Sequence, residues 1–150
     1  MSRIVDQPET YFSRFVRIGD PLLQELEAEA QAEGIPVVGP LVGELLFLLA
    51  RALRARSVLE LGAATGYSAI YLARACALNS GRLTTVEIDP KRAARARKNL
   101  ERAGLAPNAT VVCNAADEGM AALAGPFDLI FMDIDKAGYA GALEGCRRLL

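Results

Sequence analysis

Asp133, Asp135 and Lys136 stand together in the segment MDIDKAGY, where the apolar run FDLIFM ends. Two carboxylates and an amine this close make either a local ion pair on a polar loop or an acid–base and metal site. At the end of a buried strand Asp133 would point into a ligand crevice and suit a hard divalent cation such as Mg²⁺. Lys136, one turn further on, suits proton abstraction once burial and the cation's charge lower its pKa. A second stretch, SVLELGAATGYS, runs from an apolar strand through Gly62 and Gly66 into a helix. Glycine tolerates positive φ and lets a ligand approach the backbone, while Thr65, Gly66 and Ser68 offer N–H groups and a hydroxyl at the helix start. Glu87, in VEIDP, follows at the offset of about 20 residues where a doubly wound fold sets a carboxylate on ribose hydroxyls.

These residues need elements to hold them. Asp20 and Pro21 read as N-cap and first-turn proline of a helix that ends at Gly34. A loop over Ile35 to Pro40 and a helix from about Leu41 to Leu53 precede the first strand, Val58 to Leu61. After the glycine turn, Ala69, Leu72, Ala73 and Cys76 recur at helical spacing, and Asn79 to Gly81 end that helix. Strand two spans Arg82 to Glu87. Asp89 and Pro90 open a helix over Lys91 to Ala103, and strand three is Ala109 to Cys113. A short helix over Glu118 to Leu123 leads to strand four, Phe127 to Asp133. Alternating strands and helices predict an α/β fold, a doubly wound parallel sheet with ligands at the carboxyl ends of the strands. All three motifs fall at such ends.

Composition narrows the chemistry further. The chain of 150 residues has no histidine, which removes a Ser/His/Asp triad, a Cys/His pair and a histidine-ligated zinc site. A net charge of −1 gives no reason to expect nucleic acid or an acidic membrane as partner. The basic residues of 91 to 102 lack interleaved aromatics and read as a solvated face. Cys76, Cys113 and Cys146 are odd in number and sit in apolar contexts, as reduced core thiols of a cytoplasmic protein. The N-terminus has no apolar leader core, and the run Leu41 to Ala50 carries Glu44 and is about half of the ~20 residues a membrane span needs. Residues 1 to 20 are weakly patterned. Tyr11, Phe12 and Phe15 fit a peripheral helix, a partner contact or a shield over the site.

ELGAATGYS, then VEID, then FDLIFMDIDKAGY resemble the class I S-adenosylmethionine-dependent O-methyltransferases, specifically the metal-dependent catechol and caffeoyl-CoA family. The resemblance implies a Rossmann-like methyltransferase domain over 35–150, preceded by a helical segment 1–34. It implies methyl transfer from S-adenosylmethionine to a hydroxyl of a catechol-like or caffeoyl-type phenol. Val38 would lie near the methionine part of the cofactor; Glu60, Gly62, Gly66, Ser68, Glu87 and Asp133 would also contact the cofactor, with Ala116 and Asp117 toward the adenine. Ala115 replaces an aspartate that many members carry there. Asp133 would be metal ligand and Lys136 general base, and relatives suggest a homodimer. The family's other two metal ligands, an Asp-Asn pair, follow the next strand, so the fold reads as truncated after the fourth strand and its helix. One carboxylate ligand implies weak metal binding by these residues alone. The alternative is a non-catalytic cofactor-binding or assembly module. A nicotinamide oxidoreductase is disfavoured by Ala64, which stands where the pyrophosphate motif has its middle glycine.

Overall fold

In a computed structural model, which describes residues 8–16 and 19–150, the apolar runs form one parallel sheet. Its strands are β1 (Ser57–Leu61), β2 (Arg82–Glu87), β3 (Ala109–Cys113) and β4 (Leu129–Met132), in the order β3-β2-β1-β4. Central β1 pairs with β2 on one side and β4 on the other, with Glu60 opposite both Thr85 and Phe131. Val58 to Leu61 are buried on both faces, as an inner strand of a covered parallel sheet requires.

Helices α2 (Pro21–Glu33), α3 (Gly39–Ala52), α4 (Tyr67–Leu78) and α5 (Pro90–Arg102) cover one face, and α6 (Ala116–Ala121) and α7 (Tyr139–Leu149) cover the other. Alternation along β1 sends Val58 to the α3–α4 side and Leu59 and Leu61 to the α6–α7 side. The doubly wound sheet expected from the sequence is present. Parts of the N-terminal segment, residues 1–7 and 17–18, lie outside the described residues. In the remainder, α1 (Pro8–Ser13) contacts α3, and Tyr11 sets its ring against Phe12 and Phe15 at 5.3 and 5.4 Å on the surface.

Capping chemistry fixes the helix starts. Asp20 accepts the N–H groups of Leu22 and Leu23 at 2.9 and 3.3 Å, and Asp89 accepts those of Lys91 and Arg92 at 2.8 and 2.9 Å. Several expectations need correction. Helix α3 starts at Gly39, with Pro40 inside its first turn, and α6 starts at Ala116 with Asp117 and Glu118 favouring its positive end. Strand β4 ends at Met132, so Asp133 begins the following loop. Cys113 is exposed, because β3 is an edge strand; Cys76 and Cys146 are buried. The basic face of α5 is only partly solvated: Arg95 and Arg102 pair with carboxylates of α2. Among the described residues no helix is long and apolar enough to cross a membrane.

Candidate functional site

Because β1 is flanked by β2 and β4, successive connections leave it toward opposite sides, and a crevice opens at the carboxyl ends of the strands. Its volume is about 750 Å³, within the range of small-molecule sites. Five segments wall it: the loop Ile35–Val38 before α3, the turn at Gly62 and Ala64, Val86 to Ile88 with Arg92, Asn114 and Ala116 after β3, and Asp133 to Asp135 with Gly138.

The glycines of the turn take the positive φ expected of them, and both are also crowded by the protein's own backbone. Gly62 has φ 99°, and a Cβ there would lie 2.2 Å from the carbonyl oxygen of Asp133. Gly66 has φ 86°, and its Cβ would meet Cα of Ala96 on α5 at 3.0 Å. Approach of the protein's own backbone thus leaves no room for a side chain at either. Between them Ala64 takes a left-handed φ of 44°. Thr65 does not face the crevice either. It is buried, and its carbonyl accepts Nδ2 of Asn99 at 2.9 Å.

Glu87 holds this turn in place. Its Oε2 accepts the Ala64 N–H at 2.7 Å and its Oε1 accepts the Asp89 N–H at 2.9 Å, so one carboxylate joins the glycine turn to the start of α5. Glu60 lies one layer below. It is wholly buried, with Oε2 accepting the Thr85 hydroxyl at 2.6 Å and Oε1 without a hydrogen-bond partner among the described residues. Burial pushes its carboxyl up to about 7; the Ser68 and Thr85 hydroxyls favour the anion, and the charges of Asp133 and Glu87 oppose it. Ser68 is near enough to act on Glu60 in this way although Oε1 has no bond of ordinary geometry.

The expected residues therefore divide. Val38, Gly62, Glu87, Ala116 and Asp133 line the crevice; Glu60, Gly66 and Ser68 stand behind its turn. Lys136 is exposed in a short 3₁₀ turn, Lys136–Gly138, between wall residues Asp135 and Gly138 but outside the wall itself. Sequence reasoning missed Arg92, Ile88 and Asn114. Their signals were present: Asp89 as N-cap sets position 92 in the first turn of α5, and Asn114 directly follows β3.

Asp133 is exposed at the crevice, but Asp135 Oδ1 accepts the Ala137 N–H at 2.9 Å and both oxygens of Glu87 hold backbone. Among the described residues no three His, Cys, Asp or Glu side chains gather as a metal site. These residues alone do not fit a hard cation that takes at least six oxygen ligands.

Known proteins share this architecture. The profile of the O-methyltransferase family matches residues 19–150. Catechol O-methyltransferase of Niastella koreensis is 38% identical over 99% of the chain and 69% of its own length. Catechol O-methyltransferase of Mycobacterium tuberculosis is 42% identical over 87% of the chain, which spans 60% of that relative. The crystal structure of the Bacillus cereus O-methyltransferase in complex with SAH is 34% identical, with a TM-score of 0.84 over 93% of this chain and 66% of that one. With a parallel sheet reversing at β1, a carboxylate-walled crevice at its carboxyl end and a family match over nearly its whole length, the chain belongs to the O-methyltransferase family.

Proposed function

We propose that this chain forms the S-adenosylmethionine site of an O-methyltransferase acting on a phenolic hydroxyl of catechol type, with Lys136 as general base. The observation that carries the reading is the charge of the site: Glu87, Asp133 and Asp135 on the crevice wall outnumber Arg92, its one cation among the described residues. Three carboxylates around the crevice suit a sulfonium and ammonium ligand and repel a pyrophosphate. The names of the catechol-methylating relatives and the SAH complex of a 34% identical protein support the same choice.

S-Adenosylmethionine supplies, when bound, an electrophilic methyl group on a cationic sulfur. Glu87, already fixed by two backbone N–H groups, accepts the ribose hydroxyls with its remaining lone pairs. Ile35 to Val38 exclude water along one side, Val38 toward the methionine end and Ala116 toward the adenine. Gly62 and Gly66 shape the turn, with Ser68 and Glu60 setting its field from behind. Lys136 takes the hydroxyl proton as the oxygen–carbon bond forms and the sulfur–carbon bond breaks. Asp133 would give a divalent ion such as Mg²⁺ only one of the about six oxygens it takes, so these residues by themselves would hold it weakly. We extend the reading to a cytoplasmic homodimer without nucleic-acid or membrane partners.

A second reading, a cofactor-binding module without turnover, is favoured by the exposure of Lys136 outside the crevice wall. One experiment separates them. Calorimetric titration is expected to give micromolar binding of S-adenosylmethionine and none of NAD⁺. Methylation of a catechol probe is expected to fall by about 10²-fold or more in Lys136→Ala, while cofactor affinity changes by less than about twofold. Unchanged turnover would remove Lys136 as base, binding without wild-type turnover would leave the module, and binding of neither ligand would sink both readings.

A further inference from the structure

One polar cluster has no part in that mechanism. Arg95 on α5 donates from Nη1 to Glu33 at 2.6 Å and from Nη2 to Glu29 at 2.7 Å, and Arg102 donates to Glu25 at 2.6 Å. Glu25, Glu29 and Glu33 recur every fourth residue and form one edge of α2, whose Leu23, Leu26 and Ala30 are buried in the core. The seam between α2 and α5 is thus apolar inside and ionic outside.

Its position gives the seam a consequence. Glu33 is the last residue of α2, and the Gly34 and Ile35 N–H groups close that end on Gln31 and Ala30 at 3.3 and 2.8 Å, which fixes the angle at which the chain departs. The departing residues, Ile35 to Val38, wall the crevice. On α5, Arg92 walls the same crevice one turn before Arg95. Arg95 therefore ties the two walls together from behind, without itself lining the crevice.

We infer that Arg95 is a positioning residue for the cofactor crevice: by gripping Glu29 and Glu33 at once it sets where the Ile35–Val38 loop lies against Ile88 and Arg92. The inference rests on the crevice being the cofactor site. A planar guanidinium serves two carboxylates together, whereas a lysine ammonium is a single point charge. Arg95 is 25% exposed and its partners 37% and 49%, so the grip contributes little to global stability and weakens with salt. Loop position, and with it cofactor affinity, then depends on ionic strength.

Two measurements test this on the full chain. In ligand-free protein, amide exchange at Gly34 and Ile35 is expected to quicken by about threefold to tenfold in Arg95→Ala, with β1 and α4 unaltered. The dissociation constant for S-adenosylmethionine is expected to rise about fivefold to twentyfold in Arg95→Ala and less in Arg95→Lys, with turnover at saturation nearly unchanged. Raising NaCl from about 50 to 500 mM is expected to weaken wild-type binding more steeply than binding by Arg95→Ala, which keeps only the slope of the crevice's own charges. Unchanged exchange at Gly34 and Ile35, faster exchange throughout the core, or the same salt slope in both proteins would each overturn the proposal. Faster exchange confined to the α2 end, in a protein whose wild type binds no S-adenosylmethionine, would instead reject the site assignment and keep the coupling of Arg95 to the loop.

Discussion

Glu60 sits in the middle of the central strand with no solvent contact and one oxygen without a partner among the described residues. Its carboxyl is raised from 4.5 to about 7 by burial, the Ser68 and Thr85 hydroxyls pulling against that and Asp133 and Glu87 adding to it. Between those two pH values the folded chain keeps a proton that the unfolded chain has released. Stability therefore falls as pH rises from about 4.5 to about 7 and levels off above, by on the order of 3 kcal/mol for this group. Thermal unfolding across that window is expected to show the decline in wild type and a flatter profile in Glu60→Gln, which keeps an acceptor for Thr85. An identical profile in the variant would place the titration elsewhere. At this scale the sequence exposed Glu87 and the glycine spacing, because a strand-end acid and a turn are local signals. It hid the second reason the glycines are needed, the crowding around them. The atoms that exclude side chains there belong to Asp133 and Ala96, which only the folded sheet brings to the turn.

Helix α2 carries the loop of the crevice, so its N-cap bears on both stability and the site. Burial raises the Asp20 carboxyl, but its hydrogen bond to Arg74, the Arg74 charge and the N–H groups of Leu23 and Leu22 outweigh this and hold it below the usual range. Asp20→Ala is expected to cost about 1–2 kcal/mol in urea unfolding. Asp20→Asn keeps the cap, loses only the partly exposed ion pair, and is expected to cost clearly less. Equal losses would mean that the ion pair, not the cap, holds the helix. The bounds of β2 and β3 and the starts of α2 and α5 were legible because Asp-Pro caps and apolar runs act locally. Helices α3 and α6 begin earlier than the sequence predicts: Gly39-Pro40 carries loop signals yet forms the first turn of α3, and Asp117 and Glu118 stand in the first turn of α6. Pairing between α5 and α2 was invisible for another reason: it depends on how two separate helices face each other.

Across the whole molecule, α3 turns Leu45, Leu48, Leu49 and Leu53 outward, 44–59% exposed, beside the aromatic cluster of α1. Within our homodimer proposal this is the apolar surface available to a second copy. Sedimentation velocity is expected to show a dimer that Leu48→Glu with Leu49→Glu converts to monomer without altering far-ultraviolet circular dichroism; a monomeric wild type would remove the proposal. Fold class was readable at this scale from the alternation of strands and helices, whereas the surface was not, because the apolar run of α3 does not show which of its faces the core covers. The contact between Gly62 and Asp133 reaches further. Asp133 donates its N–H to Leu61 at 2.8 Å, and its carbonyl fills the space a side chain at Gly62 would need. The turn and the loop bearing Lys136 thus share a backbone seam with no slack. Redesign for a bulkier acceptor has to find its room elsewhere, at the Ile35–Val38 loop or near Gly138, because widening the site at that seam would first have to part β1 from β4.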